Sequence, residues 1–382
     1  MNLRTYTTPT LRREAVEKEL GLTFAHIGSY TLDEQLASSR NCENMIGAAQ
    51  VPLGLAGPLA VNGEQAKGNF YLPLATTEGA LIASISRGCK AITQSGGAAV
   101  SVYLAGQTRG PVFKVKSLAE QKKVHKWIID NEELLNKTAQ QTSNHLTVKN
   151  IRVQSVAQYL FVRFSFGTGD AMGMNMATIA SEAMAEVIEK ETGAQCLAIA
   201  GNFDIDKKPA WLNFIANRGF CVWAEAVIPK AVLQEVVKTT AQKFFDVWLS
   251  KCMIGSAMSG SLGFNAQYAN IIAALFIATG QDPAHVVEGS MGITTAKVLP
   301  NDDLYVSIYL PSLIVGTVGG GTSLATQKEA LEILGVSGKG KVEKFAEIIG
   351  GAVLAGEISL LASLAEGSLS KAHQQLGRGE NK

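Results

Sequence analysis

The chain has 382 residues, 47% hydrophobic and 18% charged, with 34 basic side chains against 33 acidic ones and 38 glycines. This composition excludes intrinsic disorder, and a net charge of +1 leaves no electrostatic footprint for a nucleic acid. Five cysteines without a CxxC pair fit reduced thiols in a cytoplasm and offer no metal site.

In chain order, Met1–Ser39 reads as a polar helical arm carrying charge of both signs, without the apolar core of a signal peptide. A Gly/Pro-rich stretch from Asn44 to Pro58 is too punctuated for one regular element. A helix is expected to open at Thr76–Thr77–Glu78, with Leu81, Ile82, Ile85, Cys89 and Ile92 at helical spacing, and to end at Gly96–Gly97. Val112–Lys116 alternates like a strand, and Ser117 with Glu120 forms a capping box for a helix to about Lys137. Strands near Leu146–Ser155 and Tyr159–Phe166, a helix over Asp170–Lys190 and a strand Cys196–Ala200 complete a β-α-β-β-α-β order, that of a ferredoxin-like module. Beyond it come a helix over Ala231–Ser250, a Gly/Ser segment Gly255–Ala266, an apolar helix Tyr268–Ala278, a glycine run Gly316–Thr322 and helical sequence from about Lys341. No segment is expected to span a membrane: Ile271–Thr279 is too short, and Gly351–Leu369 carries Glu357 and Glu366 and reads as buried helix.

Several residues have side-chain chemistry that a catalyst can use. The turn Gly167–Gly173 joins a strand to a helix, where free amides suit phosphate; its spacing misses the dinucleotide fingerprint by one residue, and a turn capped by Asp170 explains it equally. Asp206–Lys207–Lys208–Pro209 is either a solvated turn or a fixed positive charge for a developing oxyanion. Glu78 is either an ordinary helix cap or, if buried, a general acid. Asp282 reads as a turn residue, and His373 as a surface histidine or a proton donor on a closing tail. His26, His125, His145 and His285 lack companions for a metal site. One reading of these pieces is a nicotinamide-dependent oxidoreductase of a small hydroxy acid built on the Gly167–Gly173 turn, and another is a non-catalytic binding or assembly module whose glycines serve packing alone.

Taken together and in register, ENMIG (Glu43–Gly47), PLGLAGPL (Pro52–Leu59), TTEGALIASISRGCKAI (Thr76–Ile92), GDAMGMNM (Gly169–Met176), DKKPA (Asp206–Ala210), GQD (Gly280–Asp282) and GTVGGGT (Gly316–Thr322) resemble 3-hydroxy-3-methylglutaryl-coenzyme A (HMG-CoA) reductases from about Ser39 to Arg378. Met174 resembles the class I branch, and the lack of an anchor resembles its soluble prokaryotic form, hence a cytoplasmic enzyme.

The resemblance implies an α+β fold. A large substrate-binding domain (40–109 and 201–365) would be built around a central helix, with an inserted ferredoxin-like cofactor domain (110–200), an N-terminal arm (1–39) and a catalytic tail (366–382). It implies four-electron reduction of HMG-CoA to mevalonate. Lys207 would stabilise the oxyanion, Glu78 donate a proton, Asp282 join both in one hydrogen-bonded network, and His373 protonate the departing thiolate. Arg109, Asp206, Lys208, Lys251, Asn270 and Asn44 match substrate-holding positions. Asp170, Met172, Gly173, Met174, Asn175, Gly319, Gly320 and Asn144 match cofactor-contacting ones. NADPH is the implied cofactor, and Asn144, standing where the family's Arg pairs with the 2′-phosphate, leaves NADH open. Ala200 and Gln267 replace a usual Ser and His. The resemblance also implies a homodimer or dimer of dimers with the site between subunits.

Overall fold

The computed structural model describes residues 2–367, so His373 and the rest of the expected tail beyond Gly367 lie outside the described residues. Its strands, in chain order, are β1 (Leu53–Asn62), β2 (Lys67–Ala75), β3 (Ala98–Arg109), β4 (Val112–Lys114), β5 (Thr147–Val156), β6 (Tyr159–Gly167), β7 (Gln195–Ala198), β8 (Gly219–Ile228), β9 (Gly263–Phe264), β10 (Gly292–Val298) and β11 (Leu304–Leu313). They join in the order β7-β4-β6-β3-β8-β11-β10-β9, with β1 and β2 attached beside β3, and β5 beside β6.

Strand alternation decides which face of this sheet is covered. In β8, Val222, Ala224, Ala226 and Ile228 point inward and are buried, whereas Trp223, Glu225 and Val227 point outward. The inward face packs on the helix Val342–Glu366, which is long and apolar enough to cross a bilayer yet mostly buried inside the protein. Its contacts are close because its small residues permit them: a Cβ on Gly350 would come within 2.6 Å of Val222 Cγ1. Two acids inside it hold neighbouring backbone. Glu347 accepts from the amides of Glu64, Gln65 and Ala66 in the β1–β2 turn, and Glu357 from the amides of Ala266 and Gln267 and from Thr294 Oγ1.

A second core surrounds Phe113, Ile128, Leu135, Phe164, Met184 and Ile188. It is built from β4, the helices Leu118–Asp130 and Glu132–Thr142, β5, β6, the helix Met174–Thr192 and β7, with antiparallel strand order β7-β4-β6-β5. This is the expected βαββαβ order. The capping box is present too, since the Glu120 amide donates to Ser117 Oγ at 3.2 Å and the Lys116 amide to Glu120 Oε2. The single helix to Lys137, however, is two helices meeting at Asn131, whose side chain donates to Trp127 O at 2.8 Å. Strand β3 belongs to both sheets: Ala99 to Gly106 pair with β8 and the last three residues with β6, the changeover lying at Gly106 (φ +98°).

Other expected boundaries shift for local reasons. The helix expected at Thr76–Glu78 begins at Leu81, because Ala80 adopts φ +74° and breaks the turn before it. The helix expected from Asp170 begins at Met174, after Gly173 at φ +85°. The helix expected over Ala231–Ser250 is split into Lys230–Glu235 and Ala241–Trp248, the second capped by Thr240. It runs on through the π-helical turn Leu249–Gly255 into Ser256–Ser259, so the start of the expected Gly/Ser loop, Gly255 to Ser259, is helical.

Candidate active site

Three glycine-containing loops, far apart in sequence, pack on one another. The Asp170 carbonyl accepts from the Thr317 amide at 2.8 Å, and Ala171 bridges to Val318. A Cβ on Gly316 would meet Met172 N at 2.5 Å, so only glycine allows this approach. From the third loop, Gln281 Oε1 accepts from the Gly316 amide at 2.8 Å, and a Cβ on Gly280 would strike Gly321 O at 2.3 Å.

The joined loops leave an open backbone surface. Gly169, Gly319 and Gly320 all have positive φ, and a Cβ on any of them would meet nothing within 4 Å among the described residues. The helix Met174–Thr192 starts with no side-chain cap, so its first-turn amides have no partner within the helix. An exposed glycine cradle with free helix-start amides fits a phosphate-bearing cofactor. The Asp170 carboxylate takes no part in that cradle and does not cap its own helix. It accepts instead from the amides of Gly340, Lys341 and Val342, at the start of the long buried helix, at 2.8–3.2 Å.

Beside these loops lies Lys207, with a left-handed backbone at φ +55°. Its amide donates to Glu288 Oε1 at 3.1 Å, and its Nζ pairs with Asp282 Oδ2 at 2.7 Å. Burial works to raise the Asp282 carboxyl, but the Lys207 hydrogen bond, the Ala284 amide and the charges of His285 and Lys207 outweigh it, so Asp282 titrates below its ordinary value.

Under the pair is a buried charged cluster. Arg218, fully buried, bonds Glu288 and, at 2.8 Å, Asp206 Oδ1; it also donates to Thr108 Oγ1 at 2.8 Å and reaches Met174 Sδ at 3.1 Å. Arg109 holds Asp204 at 3.2 Å and Thr178 Oγ1 at 2.7 Å, with Asp206 at 3.9 Å. Two arginines thus tie the loop carrying Lys207 to the first turns of the helix Met174–Thr192. His285 is also buried and lies beside Asp206 and Glu288, so it does have companions. The Arg218 guanidinium already bonds both carboxylates.

Glu78 stands elsewhere. It is exposed, its carboxylate takes a 3.5 Å contact from Asn270 Nδ2, and no hydrogen bond joins it to Lys207 or Asp282 among the described residues. Asn270 lines a cleft of about 440 Å³ that also meets Pro209, at the end of the Lys207 loop. Gln267, in the same cleft, is anchored inward, its side chain donating to Gly356 O at 2.5 Å. Lys208 and Lys251 are exposed; Lys208 Nζ donates to Asp206 O at 3.2 Å, and the charge of Lys251 acts on Glu357. Asn44 is exposed at φ +56° and Asn175 is exposed at the helix start. Asn144 is exposed in the turn before β5, with His145. Sequence reasoning missed Arg218, Glu288, Asp204 and Thr178, whose only signal is their convergence in space.

The sequence profile of the family described as hydroxymethylglutaryl-coenzyme A reductase matches residues 8–378. The chain is 52% identical over 374 residues to the 3-hydroxy-3-methylglutaryl-coenzyme A reductase of Methanocaldococcus jannaschii, covering 96% of this chain and 92% of that one. It is 50% identical over 370 residues to the reductase of the same name from Methanothermobacter thermautotrophicus, covering 97% and 93%. The fold matches a class II 3-hydroxy-3-methylglutaryl-CoA reductase from Streptococcus pneumoniae, solved bound to NADPH in open conformations, with a TM-score of 0.71, 20% identity and 95% and 98% of the two chains covered.

Proposed function

Since the chain belongs to the hydroxymethylglutaryl-coenzyme A reductase family, we propose that the Lys207–Asp282 pair beside the joined glycine loops is its reducing centre. The protein is an oxidoreductase that converts HMG-CoA to mevalonate in the mevalonate pathway. Two NAD(P)H and two protons are consumed, and mevalonate, coenzyme A and two NAD(P)⁺ are released. The bound nicotinamide supplies a hydride in each of the two reductions.

The chain's own residues do the rest. Lys207 Nζ, held at 2.7 Å from Asp282, is a fixed cation for the oxygen that gains charge when the carbonyl is attacked. Asp282 orients that ammonium and balances its charge. Arg218 and Glu288 keep the Lys207 backbone in its left-handed turn. Gly169, Gly319, Gly320 and the first-turn amides of Met174 and Asn175 would hold the cofactor phosphates, with Met172, Gly173 and Asn144 beside them. We assign Glu78 as the proton donor of the aldehyde step, and His373 as donor to the leaving thiolate. We read Asn44, Lys208, Lys251 and Asn270 as the residues that would hold the acyl-coenzyme A, with Arg109 and Asp206 shaping the loop that would receive it. The second core, 110–200, is read as an inserted cofactor-binding unit of a class I-like, cytoplasmic enzyme.

The exposed Glu78–Asn270 pair, not bonded to Lys207, supports a site completed by a second copy of the chain. Mixing Glu78→Gln with Lys207→Met subunits, each inactive alone, then restores part of the activity through mixed assemblies. No recovery after subunit exchange overturns the shared site.

The 2.7 Å Lys207–Asp282 pair carries the functional reading. It is tested by incubating the protein with HMG-CoA and NADPH or NADH while following absorbance at the nicotinamide band and free thiol together. Two cofactors oxidised per thiol released is the expected result; no oxidation with either cofactor overturns it. The ratio of kcat/KM for the two cofactors measures what Asn144 does to the choice between them.

A further inference from the structure

His285 closes the short 3-10 turn that starts beyond Asp282 and is completely buried. Its Nδ1 lies 3.1 Å from Glu288 Oε1, an oxygen that already accepts from Arg218 and from the Lys207 amide. An oxygen that already accepts from two donors presents an acceptor to the ring, so the ring presents Nδ1–H to it. The other nitrogen, Nε2, is buried without a hydrogen-bond partner among the described residues and faces Asp282 Oδ2 at 3.9 Å. That same oxygen is the one paired with Lys207 Nζ. The charged groups around the ring are Asp206 and Lys207 from the Lys207 loop, Arg218 from the approach to β8, Asp282 before it and Glu288 after it.

We propose that His285 is a positioning residue of the reducing centre, acting through Asp282: a proton on Nε2 holds Oδ2 in place beneath Lys207, and a bare Nε2 releases it. A bare buried acceptor opposite a carboxylate repels it, and a second ring proton turns that contact into a charge-assisted hydrogen bond. The depressed titration of Asp282, to which the His285 charge contributes, agrees with this coupling. The proposal rests on the reading of Lys207 and Asp282 given above.

Selective ¹⁵N-histidine labelling tests it with a readout independent of turnover. The chain has five histidines, and His285→Gln identifies the signal of interest. Asp282→Asn, a change at a partly exposed side chain, is expected to move the His285 Nε2 resonance and its titration midpoint. In kinetics, His285→Phe is expected to lower kcat roughly tenfold to a hundredfold with little change in KM. His285→Gln, which keeps a donor, recovers most of kcat but loses the wild-type pH dependence. If Asp282→Asn leaves the His285 signal and midpoint in place, the proposal is overturned. A folded His285→Phe protein with wild-type kcat across the pH range overturns it as well; should that variant not fold, His285→Gln and the Asp282→Asn spectrum decide. Coupling seen by NMR in a protein that oxidises neither cofactor overturns the reductase reading and not the coupling.

Discussion

Lys207 shows how much of one residue's behaviour is set by others. Its left-handed backbone is uncommon for a lysine and stands because Glu288 receives its amide. Lys207→Met keeps the stem and removes the charge; it is expected to lower kcat about 10²- to 10³-fold, with NADPH affinity, read by direct titration, unchanged. The pH response follows from Asp282. Its carboxyl is held below its ordinary value in the folded protein, so the stability gained from the pair is whole above that ordinary value and is lost as pH falls through the lowered one. Asp282→Asn should therefore flatten the acid limb of a plot of unfolding midpoint against pH; an unchanged limb would assign it to other carboxylates. The sequence made Lys207 and Asp282 visible as candidates through their motifs. It did not show Glu288, which reaches Lys207 across 81 positions, nor Arg218, because a charge that is buried and paired looks in sequence like any surface charge.

At the scale of elements, helical periodicity located the helix ending near Gly96 but not its start. The apolar spacing survives from Leu81 onward, while Ala80 at φ +74° is a backbone choice that no side chain announces. The strands β8 and β11 were not read at all, although Trp223, Glu225 and Val227 alternate cleanly with buried neighbours; their partners lie some 80 residues away. Close helix crossing was equally hidden. A Cβ on Gly88 would stand 1.9 Å from Ala355 O of the long buried helix, so Gly88→Ala must push two helices apart. The expected cost is about 1–3 kcal/mol or more, read from denaturant unfolding; wild-type stability would show that the crossing can open without loss. The ordered Ser and Arg contacts across the same crossing, Ser84 with Ser359 and Arg87 with Ser359 and Ser363, would loosen with it.

For the whole molecule, the shared strand β3 is decisive. The two cores contain different residues, yet one continuous strand supplies hydrogen bonds to both sheets, and Arg109 and Arg218 stitch across the same seam. The two parts should therefore unfold together. Variants retaining only Trp127, in the smaller core, or only Trp248, in the larger, are expected to report the same urea midpoint by fluorescence. Two separated midpoints would show that the seam does not couple them. Strand alternation and the Ser117–Glu120 capping box made the order of elements around the smaller core legible. The seam was not, since the pairing of β3 with two sheets is a property of the assembled sheet.

Asp170 places a limit on how this protein can be altered. Its backbone carbonyl anchors the second glycine loop, and its carboxylate closes the start of the long buried helix. A substitution there intended to retune nucleotide choice would also unsettle the start of the helix on which the larger core is packed. Asn144, exposed in the turn before β5, carries no such double duty among the described residues. On the proposed site, libraries aimed at exchanging one nicotinamide for the other should accordingly return tolerated changes at Asn144 and almost none at Asp170, so the freedom to adapt lies away from the residue that fastens the larger core.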